Sequence, residues 1–248
     1  MRLSGKTAIV TGGGSGFGEG IVRKFAVEGA KVILMDRDMA AARRVADEIG
    51  DAVVAVEGDV SRLQSFEAAL DLGKTRFGAV DILVNNAGVG QSPTPLEDVS
   101  EELFDKLAAV NMRSIFNGAR ALVPHFKETG RGNILNVAST GGISPRPNLT
   151  WYNASKGWAI AATRGMAVEL APFGIRVNAI NPVAGDTPLL STFIGGDSDE
   201  IRARIVGTIP LGRLSTPADM GNAAAFLCSD EASMITGVDL LVDGGKCI

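Results

Sequence analysis

The chain is poor in the residues that metal sites and disulfide frameworks need. It has two cysteines, Cys228 and Cys247, and one histidine, His125, in 248 residues. These are too few for a thiolate zinc site, a multi-histidine centre or a set of bridges, so no metal is expected. Like charges nowhere form a block of five, and 24 basic against 28 acidic residues leave a net charge of -4. The basic footprint of a nucleic-acid binder is therefore missing. Long apolar runs are missing too. The longest stretch free of charged residues, Ile82 to Leu96, holds Asn85, Asn86, Gln91, Pro93 and Pro95 and is too polar to span a membrane. The opening Met1-Arg2-Leu3-Ser4-Gly5-Lys6 leads into no apolar core of a secretion signal, so a cytoplasmic location is expected. Against these shortages stands glycine, 31 of 248 residues, well above the usual ~7% and without a collagen-like period. Several backbone segments must approach something closely. With 46% apolar residues, the chain can bury a core of its own, and residues 1–248 are expected to form one domain.

Short β-branched runs alternate with stretches of helical period. Lys6–Thr11, Lys31–Asp36, Ala52–Glu57, Asp81–Asn85, Gly132–Ala138, Ile175–Asn181 and Val238–Val242 read as about seven strands. Most are continuously apolar, which strands covered by helices on both faces require. Between them, Gly18–Gly29, Met39–Ile49, Leu63–Phe77, Glu101–Phe126, Tyr152–Ala171 and Ala218–Ser229 read as helices, with Thr216 and Pro217 as the start signal of the last. Strand and helix in regular turn imply an α/β fold, a doubly wound parallel sheet. Residues 183–215 break the alternation, with Pro188, Pro210 and Gly195-Gly196 and weak periodicity. A connection of that length reads as a lid over a site.

Directly after the first strand comes Thr11-Gly12-Gly13-Gly14-Ser15-Gly16-Phe17-Gly18, then an amphipathic stretch from Glu19. A strand, a turn bare of side chains and a helix amino terminus let amide groups and the helix dipole hold a pyrophosphate. The strict Gly-x-Gly-x-x-Gly spacing does not fit, and no Gly-Lys-Ser/Thr triplet follows for a Walker A loop. The spacing present is Gly12-x-x-x-Gly16-x-Gly18. Taken alone, such a cluster is equally well explained as a steric turn. Asp36, at the end of the second strand, supplies the context: it stands near the ~20-residue offset at which a carboxylate accepts hydrogen bonds from an adenosine ribose. Its charge would repel a 2′-phosphate, which favours NAD over NADP. Arg37, next in the chain, could pair with such a phosphate, but it can also turn to solvent.

The only tyrosine, Tyr152, stands four residues before Lys156, so the two share a helix face. An ammonium beside a phenol favours the phenolate. To act as a base near neutrality the phenol must fall about three units, ~4 kcal/mol, from its reference near 10, which two close cations can supply. Ser139 follows the fifth strand, where the carboxyl-end loops of a parallel sheet gather ligands. His125, beside Pro124 and Phe126 and with no nucleophile elbow in the sequence, reads as structural. Trp151, Trp158, Leu189, Leu190, Phe193 and Ile194 suggest an apolar pocket wall, though core or interface would suit them equally. Arg146, in Ser144-Pro145-Arg146-Pro147, could pair with a substrate carboxylate; a solvated loop arginine is the plainer alternative.

Thr11-Gly-x-x-x-Gly-x-Gly, Asn85-Asn86-Ala87-Gly88, Ser139 and Tyr152-x-x-x-Lys156, in this order and over essentially the whole chain, resemble the short-chain dehydrogenase/reductase family. The resemblance implies a single-domain Rossmann-type fold in which Tyr152 is the general acid/base and Ser139 orients the substrate oxygen. Lys156 would lower the phenol pKa and hold the nicotinamide ribose, and Asn111 would keep a water in the proton relay. For the cofactor it implies Gly12, Ser15, Gly16, Phe17 and Gly18 at the pyrophosphate, and Asp36 and Arg37 near the adenosine ribose. Asp59 and Val60 would lie at adenine, Asn86 and Gly88 along the groove, and Val183 and Thr187 near the carboxamide. The sequence departs from the family pattern at Asn181-Pro182-Val183, where many relatives have Asn-Pro-Gly. The ending Val242-Asp243-Gly244-Gly245 resembles the family's and implies a homotetramer. The expected activity is hydride transfer between NAD and a secondary alcohol or ketone. A 3-oxoacyl-thioester reductase, a sugar or polyol dehydrogenase and a non-catalytic dinucleotide sensor are the alternatives.

Overall fold

Apolar residues on both faces of a strand force it into the middle of a layered structure, and β1 (Thr7–Thr11) is buried along its whole length. Its side chains divide by period two: Ala8 and Val10 enter one core, Ile9 the other. The protein, described here as a computed structural model, is defined for residues 1–194 and 199–248. Six further strands, β2 (Lys31–Asp36), β3 (Val53–Glu57), β4 (Ile82–Asn85), β5 (Gly132–Val137), β6 (Ile175–Pro182) and β7 (Asp239–Val242), join β1 in one sheet. The order is β3-β2-β1-β4-β5-β6-β7 and every pairing is parallel. This is the doubly wound, Rossmann-like fold that the sequence predicts. The order reverses between β1 and β4, and such a switch opens a crevice at the carboxyl ends of the strands.

Helices α1 (Gly16–Val27), α2 (Met39–Ile49) and α3 (Leu63–Phe77) follow the first three strands. α1 packs beside α9 (Pro217–Cys228) on one face, burying Ile21, Val22, Phe25, Met220 and Leu227. Their contact is so close that a Cβ on Gly20 would lie 2.2 Å from the Pro217 carbonyl oxygen. α9 starts on the expected cap: Thr216 and Asp219 form a reciprocal capping box. The other face is covered by α3, α5 (Arg113–Thr129) and α6 (Thr150–Leu170), with Phe66, Phe126 and Leu170 in its core. His125 is buried there with Nε2 3.0 Å from the Val80 carbonyl oxygen, a structural role.

Two expectations need correction. The helix expected over Glu101–Phe126 is α4 (Glu101–Leu107), a π-helical turn at Ala108–Met112, and α5. The extra residue of a π turn redirects side chains, and here it carries Asn111. Residues 183–215, expected to be irregular, contain α7 (Leu190–Ile194) and α8 (Asp199–Val206). The side chain of Ile194, and Gly195 and Gly196, lie outside the described residues.

Candidate active site

The glycine turn is held shut by its own neighbours. Thr11 Oγ1 accepts hydrogen bonds from the Asn86 and Ala87 amides, and Asn86 Nδ2 donates to the Thr11 and Gly12 carbonyls. Gly12 has φ +64, and a Cβ there would come within 2.9 Å of Ala87 Cα; one on Gly18 would stand 2.0 Å from the Gly12 carbonyl oxygen. Ser15, the residue before α1, places no side-chain cap on the helix. The first amides of α1 are thus left for another acceptor, and a helix amino terminus favours an anion. Asp36 braces the turn: Oδ2 accepts from the Gly14 amide at 2.9 Å and Oδ1 from the Asp38 amide at 3.0 Å. Each oxygen keeps a further lone pair. The next strand end carries Asp59, whose carboxyl is held below its ordinary range first by hydrogen bonds from Ser61 and then by Arg62 and Arg37.

The reactive groups come from the ends of β5 and α6. Ser139 opens a short 3₁₀ turn and its Oγ accepts from the Gly141 amide at 3.0 Å. Tyr152 and Lys156 share a buried face of α6, with Lys156 Nζ 5.9 Å from the phenol ring centroid. Lys156 Nζ donates to the Val137 carbonyl at 2.9 Å, and burial pushes its pKa down to about 8. Burial also drives the Tyr152 phenol above its ordinary value, against the lowering effects of its hydrogen bond with Ser139 and the charge of Arg146. With the protein's own groups alone, desolvation outweighs every cation near the phenol. Asn111, set inward by the π turn, exchanges two hydrogen bonds with the Val89 backbone and donates to Ser155 Oγ. Ser155 Oγ in turn donates to the Tyr152 carbonyl. Asn111 therefore stands behind the reactive face rather than in the cavity wall.

These groups meet in one cavity of about 820 Å³ along the carboxyl edge of the sheet. Its wall includes Gly12, Ser15, Gly16, Phe17, Gly18, Asp36, Arg37, Asp59, Val60, Asn86 and Gly88 from the β1–β4 side. From the β5–β7 side come Ser139, Tyr152, Lys156, Val183 and Thr187. Val183, which replaces the expected glycine, stays out of the left-handed region, so valine costs no strain there. Leu189, Leu190 and Phe193 line the wall, and Phe193 stands edge-on to Tyr152 with ring centroids 4.7 Å apart. Trp151 and Trp158 are not in it: Trp151 bonds the Leu96 carbonyl and packs edge-on against Phe104, and Trp158 faces out. Arg146 does line the cavity.

Sequence reasoning misses Gln91. It is fully buried, accepts from the Tyr152 amide at 3.0 Å and donates to the Asn148 carbonyl at 3.1 Å. Only its place just after β4 hints at the site. A dinucleotide fits the residues present: a side-chain-free cradle and uncapped helix amides lie at one end, an acid with spare lone pairs follows, and polar groups lie beyond. Among the described residues no group of acids, cysteines or histidines could hold a metal ion, and no helix is long and apolar enough to cross a membrane.

A family model described as enoyl-(acyl carrier protein) reductase matches residues 12–246. The chain is 42% identical to 4-formylbenzenesulfonate dehydrogenase of Comamonas testosteroni, over 100% of both chains. It is 40% identical to 3beta-hydroxysteroid dehydrogenase 1 of Eggerthella lenta, over 99% of this chain and 95% of that one. The crystal structure of 3-ketoacyl-(acyl-carrier-protein) reductase from Brucella melitensis, complexed with NADH, superposes with a TM-score of 0.94 at 54% identity, covering 99% of this chain and 100% of the other. Topology, motif order and full-length likeness agree: the chain belongs to the short-chain dehydrogenase/reductase family and is an oxidoreductase acting on CH–OH groups.

Proposed function

We propose that the protein interconverts a secondary alcohol and a ketone with NAD as the hydride partner and Tyr152 as the general acid/base. The observation that carries this is the meeting of the Tyr152 phenol, the Ser139 hydroxyl and the Lys156 ammonium in the cavity that the glycine turn floors. The turn Gly12–Gly18 would hold the pyrophosphate, Asp36 the adenosine ribose, and Asp59 and Val60 the adenine. Asn86 and Gly88 would line the groove, Lys156 would hold the second ribose, and Thr187 the carboxamide. When bound, the nicotinamide supplies the hydride acceptor and, oxidised, a positive charge beside the phenol. In oxidation, Tyr152 Oη takes the hydroxyl proton while Ser139 Oγ donates to the substrate oxygen and steadies its developing charge. Reduction returns the same proton from Tyr152. Asn111, fastened to Val89 and Ser155, fixes the backbone of α6 beneath these groups.

The cofactor choice rests on Asp36. Its oxygens already accept two backbone amides in the cavity wall, so a 2′-phosphate would meet a carboxylate fixed at that place. A second reading, reduction of a 3-ketoacyl thioester, is supported by the Brucella melitensis reductase at 54% identity. The experiment is Tyr152→Phe assayed with a panel of secondary alcohols, aryl ketones and acetoacetyl-CoA, with NAD and NADP side by side. The expected outcome is a fall in turnover of about 10²- to 10⁴-fold, with NADH binding by fluorescence retained. Turnover within tenfold of the parent removes Tyr152 from the reaction, and preference for acetoacetyl-CoA favours the second reading.

A further inference from the structure

The cavity is electrostatically lopsided. The acids in its wall among the described residues are both on the β1–β3 side, where Asp36 ends β2 and Asp59 stands two residues past β3, with Arg37 beside them. The β5–β7 side contributes cations: Arg146 from the loop after β5, Arg204 on α8 and Lys246 near the end of the chain. Of these three, Arg146 is the one whose charge acts on the Tyr152 phenol. Protein around its guanidinium disfavours the charge, yet no carboxylate among the described residues balances it. Arg146 is exposed and lines the cavity, and an arginine stays protonated, so its cation is open to an oxyanion entering the site.

The backbone that carries Arg146 is built to hold still. Pro145 and Pro147 fix φ on either side. Asn153 Nδ2 donates to the Arg146 carbonyl at 2.9 Å. Asn148 takes φ 61, and its carbonyl accepts from Gln91 Nε2 at 3.1 Å and from the Thr94 amide at 2.9 Å. A backbone fixed in advance leaves only the side chain's own rotamers to be ordered when the fork meets a planar or tripodal oxyanion. The wall of the same cavity beside the phenol is apolar, with Phe193 edge-on to Tyr152 and Leu189 and Leu190 lining it.

We propose that the substrate is an oxyanion-bearing alcohol or ketone with an apolar body, whose carboxylate or sulfonate pairs with Arg146 while its carbinol oxygen lies between Tyr152 and Ser139. This rests on the alcohol–ketone reading above and narrows it to a substrate class. The test compares 4-acetylbenzoate and 4-acetylbenzenesulfonate with neutral methyl 4-acetylbenzoate, as substrates with NADH and as ligands that shift the melting temperature with and without NADH. For the parent protein, kcat/KM for at least one anion is expected to exceed that for the ester by about 10- to 100-fold. Arg146→Gln should bring that ratio close to one, and Arg146→Lys should restore part of it. The same anion should raise the melting temperature of the parent more than the ester does, and should lose that advantage with Arg146→Gln. Activity with one anion alone tells carboxylate from sulfonate. Equal treatment of anion and ester by the parent, or a preference that survives Arg146→Gln, overturns the proposal. If no ketone is reduced while an anion still protects the protein through Arg146, the anion site stands and the reaction class falls. If acetoacetyl-CoA is reduced and neither anion protects, the anion site falls and the thioester reading remains.

Discussion

The two halves of the cavity are made of different materials. On the β1–β4 side the wall is mostly backbone: a glycine turn, strand-end amides and two acids at or just past strand ends, all within short connections. On the β5–β7 side it is side chains carried on longer segments, the loop between Ala138 and Leu149 and residues 183–215. Backbone can be specified by leaving side chains out, and the glycines do so at distances that admit no atom. Side-chain walls are specified by what is put in, and several residues there depend on partners from other segments, as Lys156 does on the Val137 carbonyl and Tyr152 on Gln91. The first half is therefore rigid and adapted to one constant ligand. The second leaves room for variation and holds the groups that desolvation strains.

The sharpest way to break this contrast is Gly18→Ala. The added Cβ would lie 2.0 Å from the Gly12 carbonyl oxygen and 2.4 Å from Asn86 Nδ2. The first of these is backbone, so α1 or the turn must shift. A loss of about 3 kcal/mol in urea unfolding is expected, at the upper end for overpacking, with a hundredfold or greater loss of NADH affinity by fluorescence titration. An alanine variant that binds NADH normally would mean the turn is slack.

Lys156→Met tests the strain on the other side. The ammonium is buried and its pKa falls from 10.5 to about 8. Between those values the unfolded chain holds more protons than the folded one, so the parent should gain stability as pH rises from 8 toward 10.5. The shift corresponds to roughly 3 kcal/mol, fully present as a penalty below pH 8. Methionine carries no such penalty but leaves the Val137 carbonyl without its donor, which offsets about 1–3 kcal/mol. The variant should lose turnover, and its stability relative to the parent should be most favourable at pH 7 and decline by pH 9.5. Cys228, whose thiol burial pushes up to about 12, titrates the other way but equally in both proteins, so it cancels in the difference. A difference independent of pH would show that Lys156 carries no buried charge.

The same division explains what the sequence reveals. The seven strand segments, the glycine turn, the place of Asp36 and the bounds of Met39–Ile49 and Leu63–Phe77 are legible because local period and spacing dictate them. Tyr152 and Lys156 are legible because i and i+4 on a helix must share a face. The π turn at Ala108–Met112 is not, since it exists to let Asn111 reach Val89 and Ser155, partners that no local pattern reveals. Trp151 and Trp158 mislead because at 100° per residue they lie about 100° and about 120° around the helix from Tyr152 and so point away from its face. Arg146 and Gln91 need the loop geometry, in which each is fixed by atoms from another segment.

Gln91 offers the subtlest test. Tyr152 lies in the first turn of α6, where amides lack partners within the helix, and Leu149 before it supplies no side-chain cap. Gln91 Oε1 fills that place from across the fold, while its Nε2 holds the Asn148 carbonyl. One amide side chain thus ties the reactive helix to the loop bearing Arg146. Gln91→Leu keeps the volume and removes both bonds, at an expected cost of about 2 kcal/mol for the buried groups left unpaired. Gln91→Glu keeps the acceptor for the Tyr152 amide and loses the donor to Asn148. If the glutamine positions Arg146, both variants should raise KM for the favoured anionic ketone more than for its neutral ester, with the leucine variant the less stable. Loss of stability alone, with the anion preference intact, would reduce Gln91 to a helix cap and return the loop's rigidity to its prolines.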